Sequence, residues 1–152
     1  MLTFESPEEL LAHKGRRLGA SAWVVIEQKT IDQFAAATGD QQWIHVDVAR
    51  AAEHMPDGRT IAHGGLTLSL IPRLLPTIYR IRSLRQSINC GYDRVRFTAP
   101  VPAGCWVRLV ADLVQARRVE RGVRLVHSCI VELKGSEKPA MVAQAVSIAY
   151  GP

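Results

Sequence analysis

The run Gly65-Leu66-Thr67-Leu68-Ser69-Leu70-Ile71 carries apolar or small side chains almost all the way round a helix. A helix of that kind is enclosed by other structure rather than laid on a surface. Pro72 and Pro76 follow, each without a backbone donor, and predict a kink or early end near Pro72, although the apolar pattern continues to Leu75. Beyond this the period changes. Gln86–Phe97, Cys105–Gln115, Val123–Leu133 and Met141–Tyr150 read as strands, separated by Pro100-Val101-Pro102-Ala103-Gly104, Arg121-Gly122 and Lys134-Gly135-Ser136. In the second of them Val107, Leu109, Ala111 and Leu113 alternate with Arg108 and Asp112, as one-sided burial requires. An enclosed helix placed before long antiparallel strands predicts an α+β fold, with the antiparallel sheet wrapped around a central apolar helix.

Upstream, Ser6-Pro7-Glu8-Glu9 reads as an N-cap, an N1 proline and a capping-box glutamate, opening a short helix that ends near Gly15. Ala22–Glu27 has strand character. Thr30-Ile31-Asp32-Gln33 then caps a helix whose apolar side holds Ile31, Phe34 and Ala35 and which stops at Gly39. Asp47 caps another short helix over Val48–Glu53, before the turn Pro56-Asp57-Gly58. No linker, repeat or low-complexity tract divides the 152 residues, so the expectation is one domain over 1–152, with 1–21 as an N-terminal flap or extension.

The formal charge of +5 comes from scattered arginines, without a lysine-rich run or aromatic-basic alternation, which argues against nucleic acid as a partner. A basic surface suits a phosphorylated cofactor group or an acidic carrier protein, since both approach as anions. The 3 cysteines, Cys90, Cys105 and Cys129, are odd in number and widely spaced, with no disulfide framework or zinc knuckle in their pattern. The N-terminus has no basic region before an apolar core, and no stretch stays apolar long enough to span a bilayer. The expectation is a cytoplasmic protein with no membrane partner.

Two segments carry chemistry. In Thr38-Gly39-Asp40-Gln41-Gln42-Trp43-Ile44-His45-Val46-Asp47 a carboxylate and an imidazole share one loop past a helix end, where both can reach one water. By themselves such residues are more often a helix-end cap and a solvated histidine. In Thr60-Ile61-Ala62-His63-Gly64-Gly65 glycines stand where the enclosed helix begins, and its free N–H groups can stabilise an oxyanion; tight helix-to-sheet packing asks for the same small residues.

Taken together and in this order, Thr38-Gly39-Asp40 through His45-Val46-Asp47 and Ile61-Ala62-His63-Gly64 resemble the MaoC-like dehydratases, or R-specific enoyl-CoA hydratases, and within them the nodulation-protein-N-like branch. The likeness extends more loosely through Val95-Arg96-Phe97-Thr98-Ala99-Pro100-Val101-Pro102-Ala103-Gly104 and the last strand. It implies a hot-dog fold, a homodimer with a thioester tunnel near the subunit interface, and (R)-specific hydration of trans-2-enoyl thioesters. Carried over by position, the catalytic aspartate falls on Asp40, the histidine on His45 and the oxyanion-hole N–H on Gly64. The substrate is then an acyl-CoA or acyl-carrier-protein thioester, with no separate cofactor and no metal. Two rivals remain: a hot-dog thioesterase, and an acyl-thioester-binding module without turnover.

Many members of that family have Asn-Pro where this chain has Gln42-Trp43, so packing of the indole must hold the loop that proline would stiffen. His54 and His63 show no metal-pair spacing, and His63 reads as shaping the turn into Gly64. Asn89 and Gly91 interrupt a strand, as at a bulge. Arg80, Arg82, Arg85, Arg94 and Arg96 suit phosphates but read first as a solvated face.

Overall fold

The computed structural model describes residues 1–152. Strands β1 (Leu2–Phe4), β2 (Arg16–Ala20) and β3 (Val24–Val25) precede helices α1 (Gln28–Thr38), α2 (Trp43–Val46), α3 (Val48–His54), α4 (Gly64–Ser69) and α5 (Ile71–Ile78). Strands β4 (Tyr79–Ile81), β5 (Gln86–Phe97), β6 (Trp106–Val119), β7 (Gly122–Leu133) and β8 (Met141–Tyr150) complete the chain. The antiparallel sheet runs β2-β6-β7-β8-β5, with β3 also on β6.

The alternation read along β6 is real. Val107, Leu109, Ala111 and Leu113 are buried against α5 and the 3-10 helix Pro7–His13, while Arg108 and Asp112 face outward. Arg108 pairs with Glu132 at 2.6 Å and Asp112 with Arg17 at 2.7 Å. Past Leu113 a register shift breaks the alternation, and β6 curls onward to Val119. Gly91, at φ +139, marks a bulge in β5, as its place in the sequence predicts. A second shift between Asp93 and Arg96 holds Arg94 at φ +53, so simple alternation does not put Arg94 and Arg96 on one side.

Other expectations are corrected. The strand expected over Ala22–Glu27 shrinks to β3, because β2 has already taken the edge of β6 and the buried Ser21 ends it: the Ser21 hydroxyl accepts from the Leu109 N–H at 3.0 Å and donates to the Ala22 carbonyl. The central helix breaks at Leu70 rather than at Pro72. Pro72 falls in the first turn of α5, where no intrahelical donor is needed, and Leu70 stays in right-handed helical backbone (φ −73, ψ −22). Nor is this helical pair enclosed on all sides. Leu66, Leu70, Ile71, Leu74 and Ile78 are buried, while Gly65, Ser69, Pro72 and Pro76 are exposed, because the sheet curves around one side only.

Residues 1–21 pack into the body of the molecule. β1 pairs in parallel with β4, and Phe4 and Leu10 join the main core. Ser6 makes no side-chain cap; the Glu5 N–H donates instead to Glu9 Oε2 at 2.6 Å. The three cysteines are free. No helix is long and apolar enough to cross a membrane.

One buried histidine ties this core to pH. His127 on β7 is wholly buried, and burial pushes its imidazole from 6.5 down to about 4. The unfolded chain therefore takes up this proton first. Stability is full above the unfolded value and is lost as pH falls toward the folded one, by up to about 3 kcal/mol. Urea titrations at pH ~7.5 and ~4.5 are expected to show that loss, and His127→Phe to shrink it. An unchanged pH dependence in the variant would exclude His127 as the cause.

Candidate active site

Helix α1 stops because Gly39 takes a left-handed conformation (φ +79) and returns its N–H to the Ala35 carbonyl at 2.8 Å. Asp40 is the first residue beyond, its carboxylate 54% exposed. Its Oδ1 accepts from the Gln42 N–H at 3.4 Å, which folds the loop back toward the single turn of α2. His45 lies on that turn and is 7% exposed. Trp43 is half-buried, held from outside by the Arg50 guanidinium 4.4 Å above its ring and by the edge of His54, so it braces the loop without entering the core. Asp47 caps α3 as expected, accepting the Arg50 N–H at 2.9 Å.

The His45 ring is fixed by one contact. Its Nδ1 lies 2.6 Å from the Ile61 carbonyl oxygen, which can only accept. Nδ1 therefore carries the hydrogen, and Nε2 is left as a bare acceptor able to take a proton. The Ile61 carbonyl is itself held. The Ile61 N–H donates to Ile44 at 3.0 Å, the Ala62 N–H to Val101 at 2.8 Å, and the Thr60 carbonyl accepts from Ala103 at 2.9 Å. From α1, the Gln28 amide donates to the His45 carbonyl at 2.8 Å while its oxygen accepts from the buried Thr60 hydroxyl.

Sequence reading left His63 out of the site, and the structure puts it in. The ring is 3% exposed and stacks on that of His45, with centroids 3.8 Å apart and planes at 25°. Its Nε2 lies 3.0 Å from the Asp40 carbonyl oxygen and so donates there, and it stands 4.0 Å from Asp40 Oδ2. His63 thus joins the aspartate loop to the face of the other imidazole. Polar atoms of Asp40, His45 and His63 all lie within 4.8 Å of one another. Two imidazoles and a carboxylate are a common metal set, but ring lone pairs lie in the ring planes, so nearly parallel stacked rings do not converge on one ion. The nitrogen of His63 nearest Asp40 is also committed to a carbonyl.

Gly64 begins α4 directly after His63, and its N–H, in the first helical turn, has no acceptor in the protein. A Cβ there would lie 2.7 Å from the Phe97 ring, so only glycine allows the aromatic edge this close. Gly64 and His45 line one cleft of about 310 Å³ with Thr67, Phe97 and Ala140; Asp40 is not in that lining, but a carboxylate oxygen of Asp40 lies within 4.8 Å of a ring nitrogen of His45. The arrangement places a proton acceptor, a carboxylate and an unpaired N–H donor around one small space, which suits adding or removing water beside a polarised carbonyl. Gln28, Thr60 and His63 carry no spacing that marks them; the one cue was the position of His63 beside Gly64.

Comparison with known proteins identifies a family for the chain. The profile of the "MaoC like domain" family matches residues 10–132. The chain is 48% identical over 147 residues to "3-hydroxyacyl-thioester dehydratase Z" of Mycobacterium tuberculosis (strain ATCC 25618 / H37Rv), covering 96% of this chain and 97% of that protein. It is 41% identical over 138 residues to "Nodulation protein N" of Rhizobium leguminosarum bv. viciae, covering 88% and 84%. Among solved structures, unliganded R-hydratase PhaJ1 from Pseudomonas aeruginosa superposes with a TM-score of 0.77 at 24% identity, covering 97% of this chain and 86% of that one, a likeness of fold.

Proposed function

The chain belongs to the MaoC like domain family, and on that premise we propose that it is an (R)-specific enoyl-CoA hydratase, adding water reversibly to trans-2-enoyl thioesters to give (R)-3-hydroxyacyl thioesters. It is a dehydratase or hydratase enzyme by its relatives; the substrate and the R configuration are the proposed part. The observation that carries the reading is the Ile61 carbonyl on His45 Nδ1, which leaves Nε2 as the free acceptor of an imidazole that lies within 4.8 Å of the Asp40 carboxylate and lines the same cleft as Gly64.

In the proposed reaction Asp40 and His45 hold one water. Its oxygen bonds to Cβ as the double bond opens, one proton passes from the water to the pair, and one proton returns from the pair to Cα, so the pair ends as it began. Negative charge gathers on the thioester oxygen as the enolate forms, and the Gly64 N–H stabilises it. No cofactor is required: coenzyme A, or an acyl carrier protein in its place, arrives as part of the substrate.

The test is an absorbance assay with crotonyl-CoA and longer trans-2-enoyl-CoAs, with free thiol measured in parallel. Loss of the conjugated double bond without thiol release is expected. Thiol release without hydration would make the protein a thioesterase, and silence in both would make it a binding module.

His63 acts in this scheme as a positioning residue. His63→Ala is expected to lower kcat by about tenfold or more with little change in KM, since small misplacements of reacting groups are costly. His63→Gln, whose amide can still donate to the Asp40 carbonyl, recovers part of the loss; equal rates in both variants would deny His63 this role.

We propose a homodimer built along β5. This edge strand is long, its outer side is unpaired, and Ile88 and Phe97 on it are 48% and 54% exposed. Light scattering is expected to give twice the 16.8 kDa chain mass, and Ile88→Lys to shift it toward the monomer. A monomeric wild type would end the proposal.

A further inference from the structure

Three polar side chains line the cleft at Gly64: His45, Thr67 and Thr98. Two of them have their hydrogen committed. His45 gives its Nδ1–H to the Ile61 carbonyl, and the Thr98 hydroxyl donates to the Pro139 carbonyl. Thr67, on α4, is 4% exposed, yet its hydroxyl has no hydrogen-bond partner in the protein. Nor is it among the unpartnered polar atoms sealed off from solvent, which are His63 Nδ1, Ser83 Oγ and His127 Nδ1. The place where this hydroxyl opens is the cleft that its residue lines.

A threonine inside a helix commonly turns its hydroxyl back onto a carbonyl of the preceding turn. Thr38 does so to Phe34 at 2.8 Å, and Ser69, two residues beyond Thr67, to Gly65 at 2.7 Å. Thr67 does not, so its oxygen is aimed away from the carbonyls of its own helix. Folding gives no reason for an oxygen here: valine has the same shape, and the buried neighbours Leu66 and Leu70 are apolar.

Helical side chains lean toward the N-terminus and residues three apart share a side, so Thr67 overlies the turn that starts at Gly64. In a capping box, a side chain three residues along reaches back by this geometry to an N–H at the start of a helix. In this protein the Thr67 O–H and the Gly64 N–H are both without an acceptor, so one ligand oxygen between them can accept from both.

We propose that Thr67 is a further catalytic residue, whose hydroxyl donates to the thioester carbonyl oxygen beside the Gly64 N–H, so that two donors hold the enolate. The proposal rests on the thioester reading of this cleft. No bond forms or breaks at Thr67: the hydroxyl keeps its proton, and its hydrogen bond strengthens as charge moves onto the oxygen.

The experiment compares Thr67→Val, which keeps the shape and removes the hydroxyl, with Thr67→Ser, which keeps the hydroxyl. With crotonyl-CoA, Thr67→Val is expected to lose about a hundredfold in kcat with KM within about threefold, and Thr67→Ser to stay within about fivefold of wild type. The unfolding midpoint of Thr67→Val is expected to match or exceed that of wild type, and Thr67→Ala repeats the comparison should valine disturb the packing. A second measurement needs no turnover. Butyryl-CoA labelled with carbon-13 at the thioester carbonyl is bound, and its infrared carbonyl band is expected at lower frequency in wild type and Thr67→Ser than in Thr67→Val. Wild-type kcat in Thr67→Val, a change confined to KM, a serine variant as slow as the valine one, or a band that is the same in all three proteins would overturn the proposal. A band difference without hydration of any enoyl-CoA by the wild type would uphold Thr67 on the carbonyl and sink the hydratase reading, whereas hydration with an unchanged band would do the reverse.

Discussion

Asp40→Asn and His45→Gln are each expected to lower kcat/KM for crotonyl-CoA by about a thousandfold, the scale of a lost general acid or base. Neither change should unfold the protein. The Asp40 carboxylate is 54% exposed and makes two long contacts, to the Gln42 N–H at 3.4 Å and to His63 Nε2 at 4.0 Å, so its amide replacement belongs with surface substitutions worth about 0.5 kcal/mol or less. His45 is buried, but a glutamine amide can still donate toward the Ile61 carbonyl, so a loss of about 1 kcal/mol is expected. If the two groups handle one water, the double variant is hardly worse than either single one, because residues acting as a unit are not additive. Rates near wild type in either single variant, in protein shown to be folded by its unfolding midpoint, would remove that residue from the chemistry.

Gly64→Ala is expected to cost about a hundredfold in kcat/KM, for a reason separate from loss of the N–H, which alanine retains. The new methyl would meet the Phe97 ring at 2.7–2.9 Å. The clash is with a side-chain ring rather than with backbone, so the fold absorbs it, but the ring lines the cleft and its displacement shifts the space where the thioester sits. Gly64→Ala/Phe97→Ala is therefore expected to recover at least tenfold of the loss. A near-neutral Gly64→Ala would contradict the close approach, and a failed rescue would place the damage in the backbone of α4.

Much of this is legible in the sequence. Strands β5 to β8 follow from the turn residues between them, and β6 also from its alternation, since a strand with one buried face writes its period into the chain. The helix stop at Gly39 and the Asp47 cap are equally local. Expectations failed where tertiary structure decides. Pro72 looked like a breaker because its place in a first turn depends on where α4 ends. That the Trp43 indole would hold its loop was legible, but its partner was not, because Arg50 is an ordinary surface residue in the sequence. His63 looked like a turn residue because its stacking on His45, eighteen positions earlier, exists only once Thr60–Ala62 joins the two loops.

That three-residue segment has a consequence for how the chain can change length. Backbone or side-chain bonds from Thr60, Ile61 and Ala62 reach Ile44, Gln28, Val101 and Ala103, and the Ile61 carbonyl sets the His45 tautomer. Adding or deleting one residue there would put different atoms opposite all of these partners at once. The tips at Glu120-Arg121 and Gly135-Ser136 are exposed and bind nothing in the site, so insertions can be absorbed there. Grafts, tags and loop exchanges in this protein therefore belong at the hairpin tips, and the spacing from His45 to Gly64 behaves as a fixed ruler.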